Sequence, residues 1–282
     1  MQEKIIQAGL LGRPLSNSLS PEVFNIFARL LGTGIVYTLS ETEASGLASA
    51  IGAARAEGWS GFNVTIPHKQ AVLAMLNLSD PAAAAAGAVN AVRFGRTGLE
   101  GLNTDARALL QVFDEHAIKV QRKQAAVFGA GGAAGAAAWA LGRSRAASVR
   151  ILARDENRAD ALVSRLTDCF PETVFSSGPF SAPDAVLDIA INATPIGMYA
   201  PGPLPFKPRP SCVCVDFAYG RAPTDFIRAA AEVGACRIDG LELLVAQAAL
   251  ALKFWTGLPA GDIVKFTREA LGLLRDKMEK ES

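Results

Sequence analysis

Lys69, in the run NVTIPHK, and Asp105, closing GLNTD, bring an ammonium and a carboxylate, groups able to move protons and stabilise charge, into polar clusters of this chain. Each stands in a polar cluster: Asn63, Thr65 and Lys69 follow a strand-like run, and Asn103, Thr104 and Asp105 precede a helix-like one. A third cluster, SNSLSP, places Ser18 and Ser20 before a helix start, where hydroxyls and N-terminal amides can receive a carboxylate. An ammonium can stabilise negative charge developing on a nearby oxygen and can deliver a proton. A neighbouring carboxylate can orient that ammonium. Hydroxyl, amide, ammonium and carboxylate groups together suit a polyhydroxylated acid, although periodicity does not show that the clusters converge. Structural roles compete: helix capping for Ser20 and Asp105, an exposed lysine after a proline turn for Lys69. Only His68 and His116 occur, so a zinc site or a Ser-His-Asp triad lacks its parts and no metal site is expected. His68 is expected to pack or to face solvent.

A second chemistry is written in VFGAGGAAGAAAW. Gly129, Gly131 and Gly132 follow a strand and open a helix of small residues, and Ala134 replaces the third glycine of the usual fingerprint. Glycines there permit a tight turn and bring backbone N–H groups close to a pyrophosphate at the positive end of the helix. Strand before and helix after is the context that separates a nucleotide loop from a mere tight turn. The next strand ends near Ala153, where such a fold meets the adenosine ribose. Arg154 and Arg158 suit a 2′-phosphate, whereas Asp155 suits a free 2′-hydroxyl. Two cations against one anion favour NADP and leave NAD possible.

The elements that must position these groups alternate. IIQAGLLG (5–12) reads as a strand, PEVFNIFARLLG (21–32) as a helix, IVYTLS as a strand, Leu47 to Glu57 as a helix and GFNVTIP as a strand. PAAAAA reads as a brief helix, and AVNAVRFGRTGLEGLNTD as a hairpin turning at Gly95 to Gly98. After a helix from Ala106 to Glu115 the strand–turn–helix pattern restarts through VRILA, VLDIAIN, CVCVDFAY and CRIDG, the grammar of a doubly wound parallel sheet. The last forty or so residues are helical, ending in a charged tail.

Composition bounds the rest. With 282 residues, half of them hydrophobic, the chain suits about two domains. Lys plus Arg number 28 against 27 for Asp plus Glu, without the basic excess of a protein that grips nucleic acid through phosphates. No apolar run approaches the ~20 residues of a membrane helix, and the first residues lack a secretory pattern, so a soluble, cytoplasmic protein without membrane or nucleic-acid partners is expected. Cys212 and Cys214 sit two apart in an apolar run and read as buried thiols on one face of a strand.

In these motifs the sequence resembles the shikimate dehydrogenases and their quinate-using relatives. GRPLSNSLSP, GFNVTIPHK, GLNTD, GAGGAA, NATPIGM (192–198), VDFAYGRAPT (215–224) and DGLELLVAQ (239–247) are similar to that family's signatures, in its order, over nearly the whole chain. The resemblance implies an α/β fold: an N-terminal α/β substrate domain, 1–105, completed by C-terminal helices 241–282, and a Rossmann-type doubly wound parallel sheet, 106–240. It implies Lys69 and Asp105 as the catalytic pair, and Ser18 and Ser20 as the hydroxyls that hold the substrate carboxylate. Asn63, Thr65, Asn90, Tyr219 and Gln247 match further substrate contacts, though Tyr219 also reads as core. Gly129, Ala130, Gly131, Gly132, Ala133, Arg154, Asp155 and Arg158 match cofactor phosphate and ribose positions; Thr194, Met198, Phe217 and Gly240 match the nicotinamide end.

Departures from the pattern are Asn17 where histidine is common, Ala91 for threonine, Leu243 for methionine, and Ala153-Arg154-Asp155 where Asn-Arg-Thr is common. The implied activity is NADP-dependent, reversible hydride transfer interconverting 3-dehydroshikimate and shikimate, by a monomer or a homodimer. Alternatives are a quinate/shikimate dehydrogenase using NAD, more remotely a methylene-tetrahydrofolate dehydrogenase, and a divergent paralogue that binds ligand in a regulatory role. The intact Lys69 and Asp105 weigh against the last.

Overall fold

The computed structural model describes residues 5–181, 183, 186–258 and 260–280, so the first four residues and the last two of the charged tail lie outside the described residues. The chain divides into two compact units: Met1–Ala84, Ala88–Thr104 and Leu244–Ser282 form the first, and Ala85–Gly87 with Asp105–Leu243 the second.

The elements of the N-terminal part are β1 (Ile6–Gly12), α1 (Ser20–Leu31), β2 (Ile35–Glu41), α2 (Leu47–Ala56), β3 (Gly61–Val64), β4 (Leu78–Ser79), α3 (Pro81–Ala86), β5 (Ala91–Phe94) and β6 (Leu99–Leu102). Their strands form one sheet in the order β2-β1-β3-β5-β6-β4. β1 pairs in parallel with β2 and β3, so three strand ends point the same way. β5 and β6 form the expected antiparallel hairpin, closed by Gly95 N donating to Gly98 O. β3 ends at Val64, three residues short of the expected GFNVTIP strand; Thr65 N still reaches Leu11 O, and Pro67 has no N–H to carry a ladder further.

One face of this sheet buries Leu11, Phe62 and Val64 with Leu47 and Ile51 of α2. Phe24 of α1 stacks on Tyr37 with ring centroids 4.1 Å apart and on Trp255 at 5.6 Å. Trp255 belongs to α8 (Gly240–Thr256), and the final helix α9 (Ala260–Lys280) packs on α1. The α1 helix begins at Ser20 with Pro21 in its first turn, and Gly32 closes it in the left-handed region at φ 58°. Its N-cap is Leu19 and no side chain caps it, so the capping role for Ser20 is not realised.

The remaining elements are α4 (Thr104–Glu115), β7 (Gln124–Phe128), α5 (Gly132–Arg143), β8 (Ser148–Ala153), α6 (Glu156–Cys169), β9 (Val174–Pro179), β10 (Ile189–Asn192), β11 (Val213–Asp216), α7 (Asp225–Glu232) and β12 (Cys236–Ile238). The second sheet, β12-β11-β10-β7-β8-β9, is parallel throughout. Strand order reverses between β7 and β10, the switch point at which such sheets bind dinucleotides. Strands covered on both faces read as continuous apolar runs, and β10 (IAIN) and β11 (VCVD) do so until a terminal polar residue. Cys212 and Cys214 are buried in one cluster with Phe128 and Phe226, although Cys212 lies just ahead of β11. The neighbouring Cys212 thiol, by hydrogen bonding, and then burial hold the Cys214 thiol above its ordinary range; both cysteines are free. Small residues let α5 lie close: a Cβ on Gly135 would come 2.4 Å from the Ala86 carbonyl oxygen.

Candidate active site

In the first unit, the parallel ends of β2, β1 and β3 are laced together by backbone bonds. Thr65 N donates to Leu11 O (2.9 Å), Arg13 N to Ile66 O (2.8 Å) and Thr42 N to Gly12 O (3.1 Å). Glu41 accepts from Leu15 N at 3.0 Å, tying the serine-rich segment to the end of β2. Within that segment Ser18 Oγ accepts from Ser20 N at 3.3 Å.

The turn that carries Lys69 is held from both sides. His68 is 1% exposed, so it packs and does not face solvent. Its Nε2 lies 2.7 Å from Thr42 O, and since a carbonyl only accepts, Nε2 carries the proton. Val89 N donates to Lys69 O at 2.9 Å, fixing the backbone on the other side. Lys69 itself is half-buried, as is Thr65.

Deeper in the same unit runs a chain of neutral polar groups. Tyr37 hydroxyl donates to Asn63 Oδ1 (2.9 Å), and Asn63 Nδ2 to Asn90 O (2.9 Å). Asn90 Nδ2 donates to Thr104 Oγ1 (2.9 Å) and its Oδ1 accepts from Thr104 N (2.7 Å). Thr104 Oγ1 donates to Gln247 Oε1 (3.3 Å), whose amide nitrogen donates to Leu244 O (3.0 Å). Asn63, Asn90 and Gln247, expected as substrate contacts, are thus brought together. Thr104 joins them, and Tyr37, Glu41 and Thr42 are additional residues that motif reading missed. Asn103 is used locally, donating to Ala88 O at 2.9 Å. The next residue in sequence, Asp105, is buried in the first turn of α4.

In the second unit, the loop after β7 has the shape a dinucleotide needs. Gly129 adopts φ 115°, and a Cβ there would stand 2.8 Å from Ala193 O, so only glycine fits. A Cβ on Gly131 would meet nothing within 4 Å, leaving that side of the turn open. The α5 helix has no side-chain cap and no acidic residue in its first turn, so its N–H groups at 131–133 can bind an anion. Ala130 and Ala133 carry no charge into this turn. At the end of β8, Arg154, Asp155 and Arg158 are exposed. Asp155 is the N-cap of α6, its carboxylate accepting from Arg158 N at 3.1 Å. Its charge therefore sits against the positive end of that helix, and the two guanidinium groups remain for a phosphate. These residues fit a 2′-phosphorylated dinucleotide.

Beyond β10 and β11 lie Thr194, Met198, Phe217 and Tyr219, all half-buried, and Gly240 begins α8 where a Cβ would press within 2.3 Å of Ala218 O. Tyr219 is therefore not a fully buried core residue. Behind them sits a group that the motifs concealed. Asp216 is fully buried and accepts from Asn192 Nδ2 (2.8 Å), Ala218 N (2.8 Å) and Thr224 Oγ1 (2.5 Å). Burial raises its carboxyl to about 6, against the lowering effect of those bonds.

Residues 10–92 match the family described as "Shikimate dehydrogenase substrate binding domain". The shikimate dehydrogenase (NADP(+)) of Anaeromyxobacter sp. strain Fw109-5 is 39% identical over 258 residues, covering 89% of this chain and 91% of its own. The chain belongs to the shikimate dehydrogenase family. Among solved structures, the Thermus thermophilus shikimate 5-dehydrogenase in complex with NADP(H) and shikimate superposes with a TM-score of 0.79 at 31% identity, covering 94% of this chain and all of that one. The ligand-free 5-ketofructose reductase of Gluconobacter sp. strain CHM43 superposes at 0.83 with 29% identity, covering 96% and 99%. The family match takes in the segments that carry Ser18, Ser20, Asn63, Thr65, Lys69 and Asn90. Among the described residues no helix is long and apolar enough to cross a membrane.

Proposed function

We propose that this chain is an NADP-dependent shikimate dehydrogenase, interconverting 3-dehydroshikimate and shikimate. The observation that carries the reading is the match, over 89% of the chain, to an enzyme named for that reaction and that cofactor. NADPH, when held by the second unit, would supply the hydride. In the first unit the Lys69 ammonium stabilises the charge that develops on the ketone oxygen; acting as acid it also gives that oxygen its proton, and acting as fixed charge it leaves the proton to come from water. Asp105 orients that ammonium and the adjacent ring hydroxyl. Ser18 and Ser20 receive the ring carboxylate, and Asn63, Thr65, Asn90, Tyr219 and Gln247 the hydroxyls and carboxylate. A chain of amides and hydroxyls can exchange internal bonds for substrate hydroxyls without uncovering a charge.

The 129–133 loop would hold the cofactor at its pyrophosphate, Arg154 and Arg158 at the 2′-phosphate, and Thr194, Met198, Phe217 and Gly240 at the nicotinamide end. Engagement of Asp155 at the α6 cap supports NADP over NAD. The protein acts in solution as a monomer or homodimer on a small-molecule substrate in the cytoplasm.

The test crosses shikimate and quinate with NADP+ and NAD+, adding 5-ketofructose in the reducing direction, and follows absorbance of the reduced cofactor. Shikimate with NADP+ is expected to give the highest kcat/KM. Preference for quinate with NAD+, for 5-ketofructose, or binding without turnover overturns the reading. Lys69→Ala is expected to lower kcat by about 10²–10⁴-fold while shikimate affinity stays comparatively intact. A variant with near-native rate removes Lys69 from the reaction.

A further inference from the structure

We propose that Asp216 is a positioning residue for the cofactor: its buried carboxylate holds, through Asn192 and through the Ala218 amide, the two segments that present Thr194, Met198 and Phe217. The inference rests on the assignment of those three residues to the nicotinamide end.

The argument begins with Asn192, at the end of β10 and in register with Asp216 on β11. Thr194 N can only donate, and it points at Asn192 Oδ1 at 3.0 Å, so the amide orientation is forced. The same Oδ1 accepts from Thr194 Oγ1 at 2.6 Å. Nδ2 must then face the other way, where it donates to Asp216 Oδ1 at 2.8 Å and to Ile196 O at 3.1 Å. Both lone pairs and both hydrogens of the amide are used. Thr194 Oγ1 in turn accepts from Ile196 N at 3.2 Å, so the start of the 194–198 turn is held by side chains as well as by its own backbone.

Asp216 is the fixed end of this arrangement. Its Oδ1 also takes Ala218 N, which sets the backbone just after Phe217, and its Oδ2 takes Thr224 Oγ1. Thr224 caps α7, accepting from Ile227 N at 3.3 Å, and approaches the 194–198 turn so closely that a Cβ on Gly197 would stand 2.8 Å from Thr224 Cγ2. One carboxylate thus joins β10, β11, the turn after each, and the start of α7. Burying a charge is unfavourable, and the groups it gathers are backbone segments next to the switch point of the sheet. A neutral residue fills space there with less penalty; an acceptor-only group with four lone-pair sites can hold three donors at fixed angles.

The test measures KM for NADP+ and for shikimate, kcat, and NADP+ affinity by calorimetry. In Asp216→Ala, buried donors lose their acceptor, and KM and Kd for NADP+ are expected to rise about tenfold with lower kcat and little change in KM for shikimate. Asp216→Asn keeps an oxygen for Ala218 N and Asn192 Nδ2 and turns its amide to Thr224 Oγ1, which can accept as well as donate, so it should recover most of the loss. Native NADP+ constants in Asp216→Ala, an equal rise in both KM values, or no recovery in Asp216→Asn overturns the proposal. If Asp216→Ala does not fold, Thr224→Val against Thr224→Ser reads the same split: the valine variant should raise KM for NADP+ about threefold and the serine variant should not. Met198→Ala separates the two levels. Native NADP+ affinity there sinks the cofactor assignment of the turn, whereas weakened affinity there with native Asp216→Ala sinks only the role of Asp216.

Discussion

The two units hold their polar residues in different ways. In the first, Tyr37, Asn63, Asn90, Thr104 and Gln247 form a chain of amides and hydroxyls, each able to give one hydrogen bond and take another. In the second, Asn192, Ala218 and Thr224 all donate to one carboxylate, Asp216. A neutral chain can trade an internal partner for a ligand hydroxyl at small net cost, because every member is both donor and acceptor. A carboxylate hub cannot make that trade without leaving a buried charge short of donors. The first arrangement suits contact with a polyol; the second suits holding backbone still. The contrast also has a titration signature, since only the second contains a group whose charge changes near neutrality.

The largest effect expected from breaking this contrast is at Asn90. Asn90→Leu removes both bonds to Thr104 and leaves the fully buried Thr104 N without the acceptor it has at 2.7 Å. A loss of about 3 kcal/mol, or a Tm lower by roughly 8 °C, is expected in thermal unfolding. The loss should be the same at pH 5 and pH 8, because no member of the chain is a carboxylate. A pH-dependent loss shows that the first network is coupled to an ionised group after all.

Much of the scaffold behind this comparison was legible in the sequence, and the residues that were not share a physical reason. Alternation located both sheets, and the turn chemistry of Gly95 to Gly98 and of Gly129 located the hairpin and the nucleotide loop. Residue type at a motif end pointed to Asn63, Asn90 and Gln247 through family resemblance. Tyr37 escaped because its contact depends on register: it pairs with Ala8 while Asn63 pairs with Leu10, so the two side chains share a face two strands apart, across a small residue. Thr42 escaped because it serves His68 with a backbone carbonyl, which residue type does not advertise. Asp216 had a signal: two apolar runs, IAIN and VCVD, each ending on one polar residue. Only the strand order makes those two ends neighbours.

A smaller effect sharpens the charged half of the comparison. The Asp216 carboxyl titrates at about 6 instead of 3.8, raised by burial and by the nearby Asp239 against the hydrogen bonds from Thr224, Ala218 and Asn192. The folded protein therefore binds this proton more tightly than the unfolded chain does. Its stabilising contribution is complete below the unfolded value and is lost as pH rises through the folded one. Asp216→Asn has no such proton, so relative to the parent it should gain about 1 kcal/mol, or about 3 °C, between pH 5 and pH 8. Paired melting curves at the two pH values measure it. A difference of zero or of opposite sign means that the buried carboxylate is stabilised as an anion by more than the donors seen around it.

The smallest effect is at the open end of the neutral chain. Tyr37→Phe removes the hydroxyl given to Asn63 and keeps the ring stacked on Phe24 at 4.1 Å. The half-buried hydroxyl contributes about 1 kcal/mol, so Tm should fall by roughly 3 °C, equally at pH 5 and pH 8. Kinetics distinguish a ligand-facing chain from an inert one. With its donor gone, Asn63 Oδ1 loses one of the two bonds that hold the amide, the other being Nδ2 to Asn90 O, and KM for shikimate should rise about threefold while KM for NADP+ is unchanged. A variant that melts lower but keeps both KM values would leave Tyr37 as packing alone and place the start of the ligand-responsive chain at Asn63.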